Sequence, residues 1–117
     1  MFNFEKLDVW HKAIEFADFV YTVTRTFPSD ERWGLTNQMR RAAVSISSNI
    51  AEGSSRSSKT DYGRFVEIAA GSVFEVVSQA TISKRQGWLT EEDFTLLYTA
   101  AERQSRMLSG LKRSLEV

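Results

Sequence analysis

Chain breakers constrain this sequence more than any motif does. The only proline is Pro28, in TFPSDERWGL, and glycines at 53 and 87 interrupt stretches that are otherwise compatible with helix. The cuts leave four segments long enough for helices, and nowhere do apolar and polar residues alternate with a sustained period of two. An all-α chain is expected, a single domain over residues 1–117, because that length builds one core and not two. The links GSSRSS and GWLT are too short for a crossover, which predicts an antiparallel up-down-up-down four-helix bundle.

The first helix is expected from about Lys6 to Thr26. Trp10, Ala13, Ile14, Ala17, Tyr21 and Thr24 recur at steps of three and four and mark its core face. Phe16, Phe19, Val20 and Val23 add a second apolar strip, wider than one core contact needs and suited to cover a neighbouring subunit. The second helix is expected to begin between Asp30 and Thr36 and to end near Glu52, with Gly53 as its C-terminal cap. The third begins after Ser57 or Ser58 and buries Tyr62, Phe65, Val66, Ala69, Val73, Val76, Val77 and Ala80, stopping at Gln86 and Gly87. The fourth opens with Thr90-Glu91-Glu92-Asp93, a capping-box-like signal with acids at the positive end of the helix. Its stripe is Phe94, Leu97, Tyr98, Ala101, Leu108, Leu111 and Leu115.

The second helix carries the most informative pattern. Leu35, Met39, Ala42, Ala43, Ile46 and Ile50 share one face, the bundle core. Gln38, Arg41, Ser45, Asn49 and Glu52 form a polar strip beside it, and Arg40, Val44, Ser47 and Ala51 lie behind the core face. A back open to water favours Lys and Glu, whereas small residues permit close approach of another helix. The strip then reads as a partly buried network that fixes register between helices. The plainer alternative is that Ser and Ala are tolerated surface residues. On helix three, Glu67, Gly71, Glu75 and Ser78 form a second polar strip. A mid-helix glycine costs about 1 kcal/mol relative to alanine, which makes a close contact at Gly71 the expected reason for it. Glu75 is the first candidate partner for an arginine of helix two.

Composition excludes several classes. There are no cysteines, so disulfides and thiolate chemistry are ruled out. No apolar run approaches the roughly 20 residues of a membrane span, and the MFNFEKLDVW start lacks a secretory pattern. A cytoplasmic chain with no membrane partner is expected. Charge balances at 15 basic and 15 acidic residues. It is unevenly placed, because residues 36–59 hold Arg40, Arg41, Arg56 and Lys59 against Glu52 alone. Nucleic-acid binding would use that local patch, multiplied by oligomerisation.

The ordered motifs LDVWHKA, Tyr21-x-x-Thr24-x-x-Phe27-Pro28, Glu31-x-x-Gly34-Leu35-x-x-Gln38, RRAAVSI, NIAEG, Arg56-x-Ser58 and IAAGSVFE resemble the 23S rRNA intervening-sequence protein family, also called the S23 ribosomal or four-helix-bundle family. The resemblance runs from about Phe4 to the end of helix three, with helix four similar only in character. It implies a homopentameric ring of up-down bundles. It also implies kinship with accessory proteins of diversity-generating retroelements, which bind nucleic acid and a reverse transcriptase. Members often carry proline where this chain has Ser47, so a straighter second helix is expected here.

Catalytic and metal chemistry find little support. The single histidine, His11, preceded by Asp8, is one Asp-x-x-His unit, and a di-metal centre in a bundle needs two such units. No cofactor is implied. GSSRSSK over 53–59 could cradle an anion between helix N–H groups, Arg56 and Lys59, but a capping turn explains it as well. Arg41 is expected to be structural, and Arg40 to be exposed where it could contact nucleic acid. The tentative nucleic-acid residues are thus Arg40, Arg56 and Lys59. The expected role is a homo-oligomeric binding scaffold for structured RNA or DNA. The alternative is an adaptor that docks a separately encoded enzyme such as a reverse transcriptase.

Overall fold

A 3₁₀ turn over Asn3–Lys6 leads into α1 (Asp8–Thr24), and a second over Ser29–Glu31 precedes α2 (Leu35–Ser54), α3 (Lys59–Arg85) and α4 (Glu91–Ser114). The computed structural model describes residues 1–116. The helices pack α1 on α2, α2 on α3, α3 on α4 and α4 back on α1. This is the expected up-down-up-down bundle, 45 × 22 × 22 Å in extent. Twenty-seven residues of α3 at 1.5 Å each nearly span the long axis.

The breakers act through specific contacts. Beyond Pro28 the Glu31 carboxylate accepts a hydrogen bond from the Leu35 amide at 3.0 Å, closing the open N-terminus of α2. A side chain at Gly34 would meet that carboxylate at 2.6 Å, so glycine keeps the cap in place. Ser58 caps α3 by accepting from the Asp61 amide, and Thr90 caps α4 by accepting from the Asp93 amide, both at 3.1 Å. Gly87 turns the chain with φ +83°, a conformation that only glycine adopts freely.

Gly53 differs from expectation. It lies inside α2 and is buried, and a Cβ there would sit 2.8 Å from the Phe65 Cβ and 3.0 Å from Tyr62 Cδ1. Its role is to let α2 and α3 touch, not to cap. Past Ser47 the helix continues unbroken, with the Ser47 hydroxyl donating to the Val44 carbonyl at 3.1 Å.

The core contains Met39, Ala43, Ile46 and Ile50 of α2, and Val66, Ala69, Val73, Val76 and Ala80 of α3. Leu97, Ala101 and Leu108 of α4 complete that side. Gln104 lies buried in the α4 stripe and donates to the Val9 carbonyl of α1 at 3.2 Å. On α1 both apolar strips contribute to the core: Ala13, Ala17 and Thr24 of the expected face are buried, and so are Phe16, Val20 and Val23 of the second. Val9 joins them, while Tyr21 turns outward and Trp10 and Ile14 are only half-buried. The strip expected to cover a neighbour is filled by the chain's own core.

By length and composition α3 could cross a membrane, contrary to the expectation of no such run, yet only 33% of its most apolar stretch is buried. Much of its apolar surface therefore faces away from the bundle.

Candidate interaction surfaces

Arg40 and Arg41 are neighbours 100° apart on α2, and the packing of α1 separates their environments. Arg40 Nε donates to Thr24 Oγ1 at 2.9 Å, and its guanidinium lies 4.6 Å over the Tyr21 ring. The Thr24 hydroxyl in turn donates to the Val20 carbonyl at 2.8 Å. Arg40, expected to be the free arginine, binds α2 to α1. Arg41 is exposed and forms no ion pair or hydrogen bond among the described residues.

Arg41 borders a shallow groove between α2 and α3 together with Gln38, Ser45, Ser72, Glu75 and Gln79. Glu75 and Arg41 thus share one groove but do not come within ion-pair distance. The polar strip forms a smaller network than expected. Asn49 Nδ2 donates to the Ser45 carbonyl at 2.8 Å and to Ser45 Oγ at 2.9 Å, and the buried Ser72 hydroxyl donates to Ser45 Oγ at 2.9 Å. Glu52 instead pairs with Arg56 at 3.1 Å, and Gln38 is exposed. Of the residues behind the core face, Ser47 is buried and Arg40 engaged on the α1 side, so the subunit's own first helix covers part of that flank. Val44 and Ser48 remain outside.

The outer face of α3 is less covered. Phe74 is 67% exposed, Ile68 52% and Ile82 46%, with Val44 of α2 nearby in type at 41%. Gly71 lies among these α3 residues, exposed, and a Cβ built on it meets nothing within 4 Å. No contact inside the subunit explains this mid-helix glycine. Toward α4, Phe74, Val77, Tyr98 and Ala101 line a groove of about 490 Å³ edged by Glu102 and Arg106.

The segment 53–59 is built as a capping turn. Ser58 takes up an N–H of α3, Asp61 occupies its first turn, and the Arg56 guanidinium lies 4.6 Å over the Phe65 ring while pairing with Glu52. Lys59 is exposed. At the same end of the bundle Lys112 of α4 donates to Glu67 of α3 at 2.6 Å. That hydrogen bond, reinforced by opposite charge, holds the Glu67 carboxyl below its usual range and the Lys112 ammonium above its own. Partial burial pushes the Tyr62 phenol up.

His11 Nε2 lies 2.6 Å from the Glu5 carbonyl, and its ring packs edge-on against Trp10. Among the described residues no three His, Cys, Asp or Glu side chains converge as a metal site. On the solvent face of α4 the sequence patterns single out only Arg113, which with Lys112 complements the negative helix end, yet Arg103, Arg106 and Arg113 all stand exposed there. A charge count by helix face, not by segment, would have found them.

A family model described as 23S rRNA-intervening sequence protein matches residues 5–110. Among solved structures, a protein of unknown function from the S23 ribosomal protein family of Bacteroides thetaiotaomicron VPI-5482 superposes with a TM-score of 0.79. It is 20% identical, and the match covers 89% of this chain and 97% of that one. At that identity the likeness shows the shared fold. No curated protein matches the chain.

Proposed function

The chain belongs to the 23S rRNA-intervening sequence protein family, and from that membership we propose a non-catalytic scaffold that assembles with copies of itself and carries structured RNA or DNA on the assembled surface. The observation behind the reading is the outer face of α3. Ile68 and Phe74 flank a glycine whose added Cβ would touch nothing in its own subunit, and Ile82 extends the exposed apolar face further along the helix. Exposed apolar side chains on one helix face mark an interaction surface, and a missing Cβ lets a second helix come close. Glu67 and Glu75 on the same face suit a protein partner better than lipid.

A head-to-tail contact through this face gives a ring where the rotation between copies closes and an open filament where it does not, and the resemblance implies a closed ring of five subunits. Such a ring gathers the basic side chains of every copy, so a chain of zero net charge can still hold a polyanion. The sole histidine is engaged with a backbone carbonyl, which supports a binding role over a catalytic one. An adaptor role has its own support in the apolar groove of Phe74, Val77, Tyr98 and Ala101, suited to a helix of a partner enzyme.

Light scattering at micromolar concentration and RNA retention at two salt concentrations, on one sample, test both. An oligomer with salt-dependent retention is the expected result. A lone monomer removes the scaffold reading, and an oligomer that ignores RNA transfers the argument to the adaptor.

A further inference from the structure

We propose that the solvent face of α4, through Arg103, Arg106 and Arg113, is the surface that takes up the phosphate backbone of nucleic acid. The inference rests on the scaffold reading and specifies where its ligand binds.

At 100° per residue the three side chains point within about 80° of one another and span about 15 Å of helix. All three are exposed and form no ion pair among the described residues. Most other cations are committed or outnumbered by acids, while Lys6, Arg41 and Lys59 stay exposed and unpaired among the described residues but do not share one helix face. Lys12, Arg56, Arg64, Lys84 and Lys112 each pair with a carboxylate, and Arg40 is engaged with Thr24 and Tyr21. Arg25, Arg32 and Arg85 lie at the far end of the bundle, where Asp30, Glu31, Glu91, Glu92 and Asp93 outnumber them.

Between Arg106 and Arg113 stand Ser109 and Gly110, small enough to let a sugar-phosphate strand approach. The set is entirely arginine, whose planar fork matches phosphate oxygens two at a time. Glu102 lies at the edge of the stripe, four residues before Arg106 but outside ion-pair distance. On α1, which packs against α4, Glu15 pairs with Lys12, while Asp8 and Asp18 are exposed acids.

The topology also favours α4. Contacts run in the cycle α1–α2–α3–α4, so α4 borders α3 on one side only, and its solvent face points away from α2. Arg106 and Arg113 border the grooves between α3 and α4, so copies meeting through the outer face of α3 place these arginines at the edge of the contact, repeated once per subunit.

The test is fluorescence anisotropy of a hairpin RNA and of a random-sequence DNA duplex, each titrated at several salt concentrations. The wild-type chain is compared with Arg103→Gln/Arg106→Gln/Arg113→Gln, with the corresponding triple lysine variant, and with Arg56→Gln/Lys59→Gln. Removing three phosphate contacts should flatten the log–log salt slope by about 2–3, at about 0.7–0.9 per contact. The lysine variant should keep that slope with weaker binding, and the Arg56/Lys59 variant should keep both. Helicity and oligomer mass identify any variant that fails to fold, and the lysine triple then decides: wild-type affinity in it counts against the guanidinium fork. A glutamine triple that folds and keeps the wild-type slope overturns the α4 assignment and leaves the scaffold reading standing. Salt-independent or absent binding by the wild type overturns both.

Discussion

Gly71 gives the sharpest test of assembly, because the subunit alone and the assembled protein call for opposite outcomes. In the subunit a Cβ at position 71 meets nothing within 4 Å. Replacing glycine by alanine within α3 should then stabilise an isolated subunit by about 1 kcal/mol, the ordinary helix-propensity gain. If a neighbouring helix lies against this face, the same methyl group overpacks the contact by about 1–3 kcal/mol. At about 1.4 kcal/mol per tenfold, that moves the concentration for half-assembly upward by about 5- to 150-fold. Leucine should abolish assembly at micromolar concentration. Two measurements on each variant separate the terms: mass by light scattering across a dilution series, and urea unfolding at a dilution where only subunits remain. The expected pattern is a harder subunit to unfold and a weaker assembly. Gly71→Leu with unchanged mass would refute the close contact, and a stabilised Gly71→Ala protein at wild-type mass would mean that the glycine faces water.

Gly53→Ala should behave in the opposite way, because its Cβ would lie 2.8 Å from the Phe65 Cβ. The propensity gain is outweighed by overpacking, and a net loss of about 1–2 kcal/mol in thermal unfolding is expected; any gain rejects the α2–α3 contact as described. Glu31→Ala removes the acceptor for the Leu35 amide and should cost about 0.5–2 kcal/mol, as cap deletions do, which urea titration reads directly. The Glu67–Lys112 hydrogen bond predicts a pH effect. A carboxyl held low stabilises the fold above its unfolded value of 4.5, and that contribution is lost as pH falls through the folded value. An ammonium held high contributes below 10.5 and loses its contribution as pH rises through its folded value. Wild type and Glu67→Gln should therefore differ slightly at neutral pH and converge in acid, with the difference screened by salt because the pair is exposed. A constant difference from pH 7 down to pH 2 would sink the assignment.

The four helices were legible because their breakers act locally. Pro28 ends α1, Ser58 and Thr90 cap α3 and α4, and Gly87 turns the chain, all within a few residues. The core faces of α2 and α3 were legible because each has one dominant apolar stripe. α1 was not, since Ile14 and Tyr21 compete with Phe16 and Val20 for the same role, and periodicity cannot choose between two apolar strips. The choice is made by α2 and α4 flanking α1, which is long-range information. Arg40 and Arg41 fail to separate for the same reason. A 100° step decides whether a side chain reaches Thr24 or water, and only the position of α1 fixes the direction.

The exchange between those arginines also explains why segment charge misleads. The excess of cations in residues 36–59 suggests a basic patch, but folding directs Arg40 onto Tyr21 and Arg56 onto Glu52. What a polyanion meets is the charge left over after internal pairing, and unpaired cations that share a face count for more than a sequence run. By that measure α4 gathers Arg103, Arg106 and Arg113 on one face beside Glu102, whereas the cations left unpaired in the segment that looked basic, Arg41 and Lys59, lie on different helices. The balance of 15 and 15 is then compatible with polyanion binding, because many of the acids that cancel these arginines in the total are paired within the bundle or lie at its far end.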